Sequence, residues 1–266
     1  MTIPIALTIA GSDSSGGAGI QADLKTFAAC GVYGASVITA LTAQNTRGVT
    51  DVHVVPAEFV TAQLDAVFSD LDVRAVKTGM LVRSDIIEAI VAALARWSPP
   101  NLVVDPVMIA TSGNALLAEQ AIATLREKLL PRARLITPNL PEAARLLADA
   151  VAGREADIAR QGKALRALGC EAVLIKGGHA TGADSIDYLF TSGGTERFSA
   201  PRIATRNTHG TGCTLASAIA AGLARGLDLS TAVRRAKDYV TAAIAAADRL
   251  AVGRGNGPLH HFFGLD

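Results

Sequence analysis

The sequence of 266 residues predicts an α/β protein in which helices cover both faces of a mostly parallel central sheet. Short β-branched runs alternate with longer segments of helical periodicity, which is the pattern of successive βαβ units. Residues 102–104 and 173–175 are continuously apolar, as strands covered on both faces are. Polar, Gly-rich segments follow several runs, so the carboxyl ends of the strands are expected to form one ligand-binding edge.

The predicted elements follow from these periodicities. Strands are expected at residues 5–10, 35–43, 52–55, 75–78, 102–107, 134–137 and 172–176, with an antiparallel pair at 186–190 and 196–199. Helices are expected at residues 18–29, 58–70, 84–96, 119–130, 141–147, 157–168, 212–225 and 230–247. No internal repeat, low-complexity linker or block of like charge divides the sequence, so residues 1–266 are expected to form one domain.

Composition excludes several classes of protein. Half of the residues are hydrophobic and 18% are charged, which is typical of a globular chain and not of a disordered one. Lys and Arg together number 25 against 24 Asp and Glu, so no basic surface for nucleic acid is indicated. No apolar stretch approaches the roughly 18 residues that a membrane span needs. We therefore expect a soluble, cytoplasmic protein without nucleic-acid or membrane partners.

The most informative segment is 207–214, NTHGTGCT, which precedes a helix rich in small residues. Gly210 and Gly212 let the backbone turn tightly into that helix, so unpaired N–H groups would point outward at its positive end. Such a site can stabilise a phosphoryl group during transfer. The segment, including Thr208 and Thr211, therefore predicts phosphate binding, although an ordinary Gly-rich turn before a packed helix would read the same way.

Cys213 lies at the start of this helix, where the pKa of a thiol is expected to fall. It could act as a base, as a nucleophile or as a polar contact, or it could be a small buried hydrophobic residue. Cys30 and Cys170 have no comparable setting and are assigned to packing. Among the five histidines, only His179 falls in a turn of the kind that forms sites.

The Gly-rich segment 11–19 also resembles a phosphate-binding loop. It does not fit the Walker pattern, because Gly17-Ala18 stands where Lys-Ser is required. The spacing of Gly17, Gly19 and Ala22 does match the dinucleotide fingerprint, but no acidic residue closes a second strand about 20 positions later. A lone match of this kind is weak support for a dinucleotide-dependent oxidoreductase.

Four polar residues at other strand ends complete the set of candidates. Lys176 ends an apolar strand, where its ammonium would be costly without an anion such as a phosphate oxygen. Asp105, Asn139 and Glu142 carry oxygens suited to the first or second shell of a magnesium ion. The alternative interpretation is that Asp105 caps a turn or helix, and that Asn139 and Glu142 cap the helix at Pro141.

Seven motifs together resemble the bifunctional hydroxymethylpyrimidine/phosphomethylpyrimidine kinases. They are AGSDSSGGAGIQAD at 10–23, TAQNT at 42–46, KTGML at 77–81, DPVM at 105–108, TPN at 137–139, KGGH at 176–179 and RNTHGTGCT at 206–214. The motifs occur in order over essentially the whole chain. The resemblance is therefore specific, because chance agreement of one motif does not enter.

The resemblance implies a ribokinase-like three-layer sandwich, ATP with Mg²⁺ as phosphoryl donor, and a homodimer. It implies two successive phosphorylations on the route to thiamine, first of an alcohol and then of its monophosphate. Carried over by position, the pyrimidine pocket would be lined by Gly11, Asp23, Gln44, Met80 and Val107. Gln44 is expected to pair with the amino and nitrogen edge of the ring. On the nucleotide side, Lys176, Asn139, Thr208 and Thr211 are expected to bind ATP, and Asp105 and Glu142 the metal, directly or through water.

Cys213 departs from the wider ribokinase superfamily, many members of which have Asp at this position and use it to take the proton of the attacking hydroxyl. The same Cys occurs in some pyridoxal kinases, so a vitamin B6 kinase is the nearest alternative. A non-catalytic pyrimidine-binding protein is a further alternative, against which the intact segment 210–213 speaks. We expect Cys213, Gly210, Gly212 and Lys176 to carry the catalysis.

Overall fold

The computed structural model describes residues 2–108, 116–178 and 182–265. The strands are β1 Ile5–Ala10, β2 Tyr33–Ile38, β3 Ala40–Asn45, β4 Gly48–Val54, β5 Val73–Thr78, β6 Leu102–Val104, β7 Leu135–Ile136, β8 Ala172–Ile175, β9 Asp184–Thr191 and β10 Gly194–Pro201. The α-helices are α1 Gly19–Ala29, α2 Ala57–Phe68, α3 Ser84–Trp97, α4 Glu119–Thr124, α5 Leu140–Leu147, α6 Glu155–Arg166, α7 Thr211–Ala224 and α8 Leu229–Ala245.

Eight of these strands form one sheet in the order β10-β9-β8-β7-β6-β5-β1-β2. The six strands from β8 to β2 run parallel, and β9 and β10 continue the sheet as an antiparallel pair. This confirms the predicted mostly parallel sheet and the predicted antiparallel pair.

Successive side chains of the central strands face two separate cores. Leu7 and Ile9 of β1 lie in a core shared with α2, α3, α4, α5 and α6, whereas Ala6 lies in a core shared with α1, α7 and α8. Both cores are needed because the central strands are apolar on both faces. The three-layer sandwich predicted from the sequence is confirmed, and α7 belongs to the layer that packs against β1, β5 and β6.

The predicted strand at 35–43 is wrong in one respect, because the chain leaves the sheet at Thr39. The Thr39 amide donates to Ala10, and its hydroxyl donates to the carbonyl of Met80 at 2.6 Å. β3 then pairs with β4 in a separate antiparallel hairpin. This hairpin carries Gln44 away from the sheet and over its carboxyl edge, where the Ser12 amide bonds the Ala40 carbonyl.

Two other predicted elements end early. β6 stops at Val104, because the Val107 amide turns back to bond the Asp105 carbonyl at 2.8 Å. The helix predicted at 119–130 is α-helical only to Thr124 and continues as a π turn over Leu125–Leu129 and a 3₁₀ turn over Leu130–Arg132. The 3₁₀ turn, which is the tighter of the two, contains Pro131, and proline has no N–H to continue the α-helix.

Candidate active site

The carboxyl ends of the parallel strands meet the start of α7. The residues that directly follow β1, β6, β7 and β8 are Gly11, Asp105, Thr137 and Lys176. α7 packs against β1, β5 and β6 on one face of the sheet. This is the edge at which open α/β sheets bind ligands.

The start of α7 leaves backbone amides free. Gly210 has a φ of 83°, a left-handed conformation that favours glycine, and a β-carbon there would lie 1.9 Å from the Gly17 carbonyl oxygen. The Thr211 amide and hydroxyl both donate to the Thr208 carbonyl, and the Thr214 amide donates to Gly210. Within the described parts of the chain, the amides of Gly212 and Cys213 have no acceptor. The phosphate site predicted at this segment would therefore have two donors at the positive end of a 14-residue helix.

Lys176 lies beside this helix start. Its Nζ atom is 2.7 Å from Oδ1 of Asp105 and 3.9 Å from Oε2 of Glu142, and its side chain is 13% exposed. A β-carbon on Gly212 would stand 3.4 Å from the same Nζ atom. Burial lowers the pKa of Lys176, but the two carboxylates outweigh this effect and raise it. A positive charge is thus held between two carboxylates and the free amides.

Asn139 and Glu142 form a capping box at the start of α5. The Glu142 amide donates to the Asn139 side chain, and the Asn139 amide donates to the Glu142 carboxylate, both at 2.8 Å. The alternative interpretation of these residues as a cap is therefore confirmed, and their ligand roles stay predictions. Burial raises the pKa of Glu142 to about 7, although the Lys176 charge acts in the opposite direction.

The expectation that the helix start lowers the pKa of Cys213 is wrong. Burial of the thiol raises its pKa to about 11. Lys77 and the Gly19 amide lower the pKa, whereas the charges on Asp23 and Asp105 raise it. The physical reason is that removal from water and two nearby carboxylates outweigh the helix dipole at this position.

Asp23 is fully buried beneath the site. Its carboxylate accepts hydrogen bonds from the hydroxyls of Thr8 and Ser217 at 2.6 Å, and it forms an ion pair with Lys77 at 2.8 Å. Neither Asp23 nor Lys77 has any exposed side-chain surface. The structure therefore does not bring Asp23 to the surface of the site, and its direct contact with a ring stays a prediction.

Sequence reasoning assigned no role to Lys77. The signal was present, because Lys77 interrupts the apolar strand β5 in the way that Lys176 ends β8. Burial lowers the pKa of Lys77, but Asp23 more than compensates and raises it, so the ammonium stays charged. It places a buried positive charge near Cys213.

The loop 11–19 does not present a free anion hole. Asp13 accepts from the amides of Gly17 and Ala18 with one oxygen and from the Ser15 amide and hydroxyl with the other, at 2.7–3.1 Å. The amides that a dinucleotide pyrophosphate would need are thus occupied by a carboxylate of the chain itself. Burial raises the pKa of Asp13, but the hydrogen bonds from His209 and Ser15 prevail and lower it to about 2.

His209 joins this loop to the hairpin that carries Gln44. Its Nε2 atom lies 2.7 Å from Oδ2 of Asp13 and 3.3 Å from the side-chain nitrogen of Gln44. The side-chain oxygen of Gln44 lies 3.1 Å from the hydroxyl of Thr42. Sequence reasoning found no metal spacing at His209 and gave it no other role. No local pattern could have revealed this contact, because Asp13 and His209 are 196 residues apart.

The remaining candidates lie around the same edge. A β-carbon on Gly11 would stand 3.0 Å from the sulfur of Met80, so these two residues are neighbours. Val107 follows Asp105 in the turn after β6, and Thr208 and Thr211 flank Gly210. His179 lies outside the described residues.

Neither a metal cluster nor a membrane helix occurs in the described ranges. No group of three or more His, Cys, Asp and Glu side chains that could hold a metal ion is found there. None of the helices in those ranges combines the length and apolar character needed to cross a membrane. The cytoplasmic location expected from composition stays a prediction.

Free amides at a helix start, a lysine beside them and a ribokinase-like sheet are the features of a small-molecule kinase. The sequence matches the phosphomethylpyrimidine kinase family over residues 13–260, and the chain belongs to that family.

Individual relatives agree with this assignment. The hydroxymethylpyrimidine/phosphomethylpyrimidine kinase of Rhizobium meliloti is 62% identical over 97% of both chains. Among solved structures, phosphomethylpyrimidine kinase from Clostridium difficile is 46% identical, with a TM-score of 0.81 over 91% of this chain and 100% of that one. An ADP complex of Bacillus subtilis pyridoxal kinase is 38% identical, with a TM-score of 0.90 over 98% of both chains.

Proposed function

We propose that the protein transfers the terminal phosphoryl group of ATP to 4-amino-5-hydroxymethyl-2-methylpyrimidine and then to its monophosphate. The observation that carries this proposal is the free pair of amides at the start of α7, with the Lys176 ammonium beside Gly212. Negative charge on a phosphoryl group in transfer is spread over its oxygens, and donors already in place stabilise it without reorganisation. The family supplies the identity of the acceptor.

On the donor side, Lys176, Asn139, Thr208 and Thr211 are proposed to bind ATP. Lys176 is paired with Asp105, and Gly212, which has no side chain, leaves room between this pair and the helix start. Phosphate oxygens entering this space would meet the ammonium and the amides together. The hydroxyl of Thr211 is already turned to the Thr208 carbonyl, so it would have to rotate to reach a phosphate.

Mg²⁺ is proposed to accompany ATP, with Asp105 and Glu142 as its protein partners. Two carboxylates near a phosphate site suit this ion, which keeps several waters and takes few protein ligands. Oδ2 of Asp105 faces Gly212 and is the better placed oxygen, since Oδ1 already accepts from Lys176 and Thr137. When bound, the ion would neutralise charge on the phosphate oxygens.

On the acceptor side, Gly11, Gln44, Met80 and Val107 are proposed to surround the pyrimidine. Asp23 is proposed to act from below, by holding Lys77 and Ser217 in place. Cys213 is proposed to accept the hydroxyl proton. The raised pKa of Cys213 means that little thiolate is present at neutral pH. The buried charge of Lys77 acts in the opposite direction, because it lowers this pKa and so favours the thiolate that would accept the proton.

A vitamin B6 kinase is the second candidate function, because the fold of Bacillus subtilis pyridoxal kinase agrees with this one at a TM-score of 0.90. The two candidates are separated by kcat/KM for hydroxymethylpyrimidine and for pyridoxal, measured through ADP formation. We expect the pyrimidine to be preferred, and a preference for pyridoxal would overturn the proposal. Gln44→Ala should raise KM for the pyrimidine while leaving KM for ATP unchanged.

We also propose that the chain is a single domain and that it forms a homodimer. The sheet joins strands from residues 5 to 201, and α7 and α8 pack on it. β2 is an edge strand, and Tyr33 on β2 and Leu41 on the β3–β4 hairpin are exposed, so both could contact a second copy of the chain. Sedimentation of the wild type and of Leu41→Asp tests this, since the substitution should shift the mass toward the monomer.

A further inference from the structure

His209 is enclosed between three segments that are distant in the sequence. Its Nε2 atom contacts Asp13 in the first loop and Gln44 in the β3–β4 hairpin. A β-carbon on Gly17 would stand 2.6 Å from Cδ2 of His209, so the ring packs directly on the loop backbone. The His209 amide donates to the Gly257 carbonyl at 3.0 Å. With 7% of its surface exposed, the side chain is held in one place.

The contacts of His209 fix where its proton lies. An ionised carboxylate only accepts hydrogen bonds, and all the other groups that contact Asp13 are donors. At 2.7 Å from Oδ2 of Asp13, the Nε2 atom of His209 must therefore carry a hydrogen and donate it. Gln44 consequently meets a ring nitrogen that has no free lone pair and whose single hydrogen it can only share with Asp13.

This requirement selects one orientation of the Gln44 amide. With its nitrogen toward His209, the amide would set a donor against a donor at 3.3 Å. On the other side, the Thr42 hydroxyl gives its single hydrogen to the Ser12 carbonyl at 2.8 Å, so it can only accept from Gln44. Both conflicts disappear when the amide turns by 180°, which places oxygen at His209 and nitrogen at Thr42.

A fixed amide presents a fixed pattern to a ligand. One lone pair of the Gln44 oxygen faces His209, and one hydrogen of the Gln44 nitrogen faces Thr42. The oxygen keeps a second lone pair and the nitrogen a second hydrogen for a ligand. An acceptor beside a donor matches a ring nitrogen beside an amino group. A ring with an oxo group and a protonated nitrogen presents the opposite pattern. Its oxo group would face the Gln44 oxygen, and its N–H would face the Gln44 nitrogen, so neither hydrogen bond could form.

We propose that His209, held by Asp13, is a positioning residue that fixes the Gln44 amide and thereby selects a 4-amino over a 4-oxo pyrimidine. This inference rests on the proposed role of Gln44 as the residue that pairs with the ring. It adds a specificity element that lies one residue before Gly210, so the same segment would set both ring selection and phosphoryl binding.

The experiment measures kcat/KM for 4-amino-5-hydroxymethyl-2-methylpyrimidine and for its 4-oxo analogue, with ATP saturating. We expect His209→Leu to lower the ratio of the two values by about tenfold or more, through KM for the amino compound, because the amide can then rotate. His209→Gln, which can still donate to Asp13 and Gln44, should restore most of the ratio. His53→Leu, an exposed histidine on β4, is the matched control and should behave as the wild type.

Two comparisons separate the possible failures. If Gln44→Ala leaves the ratio unchanged, Gln44 does not form hydrogen bonds with the pyrimidine ring, and the proposed pocket is wrong. If Gln44→Ala lowers the ratio but His209→Leu does not, only the positioning role is overturned. A ratio as low in His209→Gln as in His209→Leu also overturns it. Should His209→Leu fail to fold, His209→Met, which also donates no hydrogen bond, takes its place, and an unchanged ratio in that variant overturns the positioning role.

Discussion

The Nζ atom of Lys176 lies 2.7 Å from Oδ1 of Asp105, at the point where β8 ends and the start of α7 begins. The pair places a positive charge directly beside the free amides of Gly212 and Cys213. A buried ion pair of this kind contributes little net stability in itself. We infer that it is retained because the ammonium serves a phosphate that enters between Lys176 and the helix.

Replacement of Lys176 by Met tests this inference. Turnover should fall by about 10²- to 10³-fold, the usual loss when one donor to a developing charge is removed. Affinity for ATP should fall with it, as titration calorimetry would show. The fold should persist, because Asp105 keeps the hydrogen bond from the Thr137 hydroxyl, and Glu142, whose pKa is about 7, can take up a proton once Lys176 is gone. Lys163→Met, on the exposed face of α6, is the control. An unchanged ATP affinity in Lys176→Met would remove Lys176 from the nucleotide site.

Gly212→Ala should separate activity from stability. A β-carbon there meets Lys176 at 3.4 Å and Asp105 at 3.7 Å, so it would occupy the space that we propose for phosphate. Alanine also has the better helix propensity, by about 1 kcal/mol. We expect the melting temperature to hold or rise while turnover falls by roughly 10²-fold or more. Gly153→Ala, where no atom lies within 4 Å, should change neither. Full activity in Gly212→Ala would show that phosphate does not bind between these residues.

The role of Cys213 is tested by the pH dependence of the rate. With a thiol pKa of about 11, kcat/KM of the wild type should rise with pH across the alkaline range if the thiolate accepts the proton. Cys213→Ala should lose about two to four powers of ten and the pH dependence with it. Cys213→Asp should recover part of the rate without the alkaline rise. A flat wild-type profile, together with an alanine variant of full activity, would leave Cys213 as a contact residue.

Asp13 predicts a stability change in acid. Its pKa falls from 3.8 unfolded to about 2 folded, so the unfolded chain binds more protons between these values. The carboxylate therefore contributes about 2 kcal/mol above pH 4, and this contribution is lost as the pH falls from 4 toward 2. The difference in unfolding free energy between wild type and Asp13→Asn should be constant near neutrality and shrink below pH 4. A difference that does not change with pH would contradict the assigned pKa.

The layers and most strand positions were predictable because a strand buried on both faces is a short, continuous apolar run, which differs from the periodic pattern of a helix. The break at Thr39 was not predictable, because the sequence pattern of an apolar run is the same whether the chain stays in the sheet or leaves it. Lys176 was proposed as a site residue because it ends an apolar strand, and the same signal in Lys77 was overlooked.

The site was predictable where its chemistry is local and not where it depends on burial. The amides of the α7 start follow from two glycines in a short segment. The pKa of Cys213 could not be predicted, because it depends first on burial of the thiol and then on the charges of Lys77, Asp23 and Asp105, which other elements bring close. The contacts of His209 with Asp13 and Gln44 likewise exist only after the chain has folded.

The most direct test of the proposed function is the stoichiometry of ADP formation with limiting hydroxymethylpyrimidine and excess ATP. The account predicts two molecules of ADP for each pyrimidine, and the pyrimidine diphosphate as the final product by phosphorus NMR. Gly212→Ala should give neither product at a comparable rate. If the reaction stops after one ADP, or if pyridoxal is consumed in preference to the pyrimidine under the same conditions, the account is contradicted.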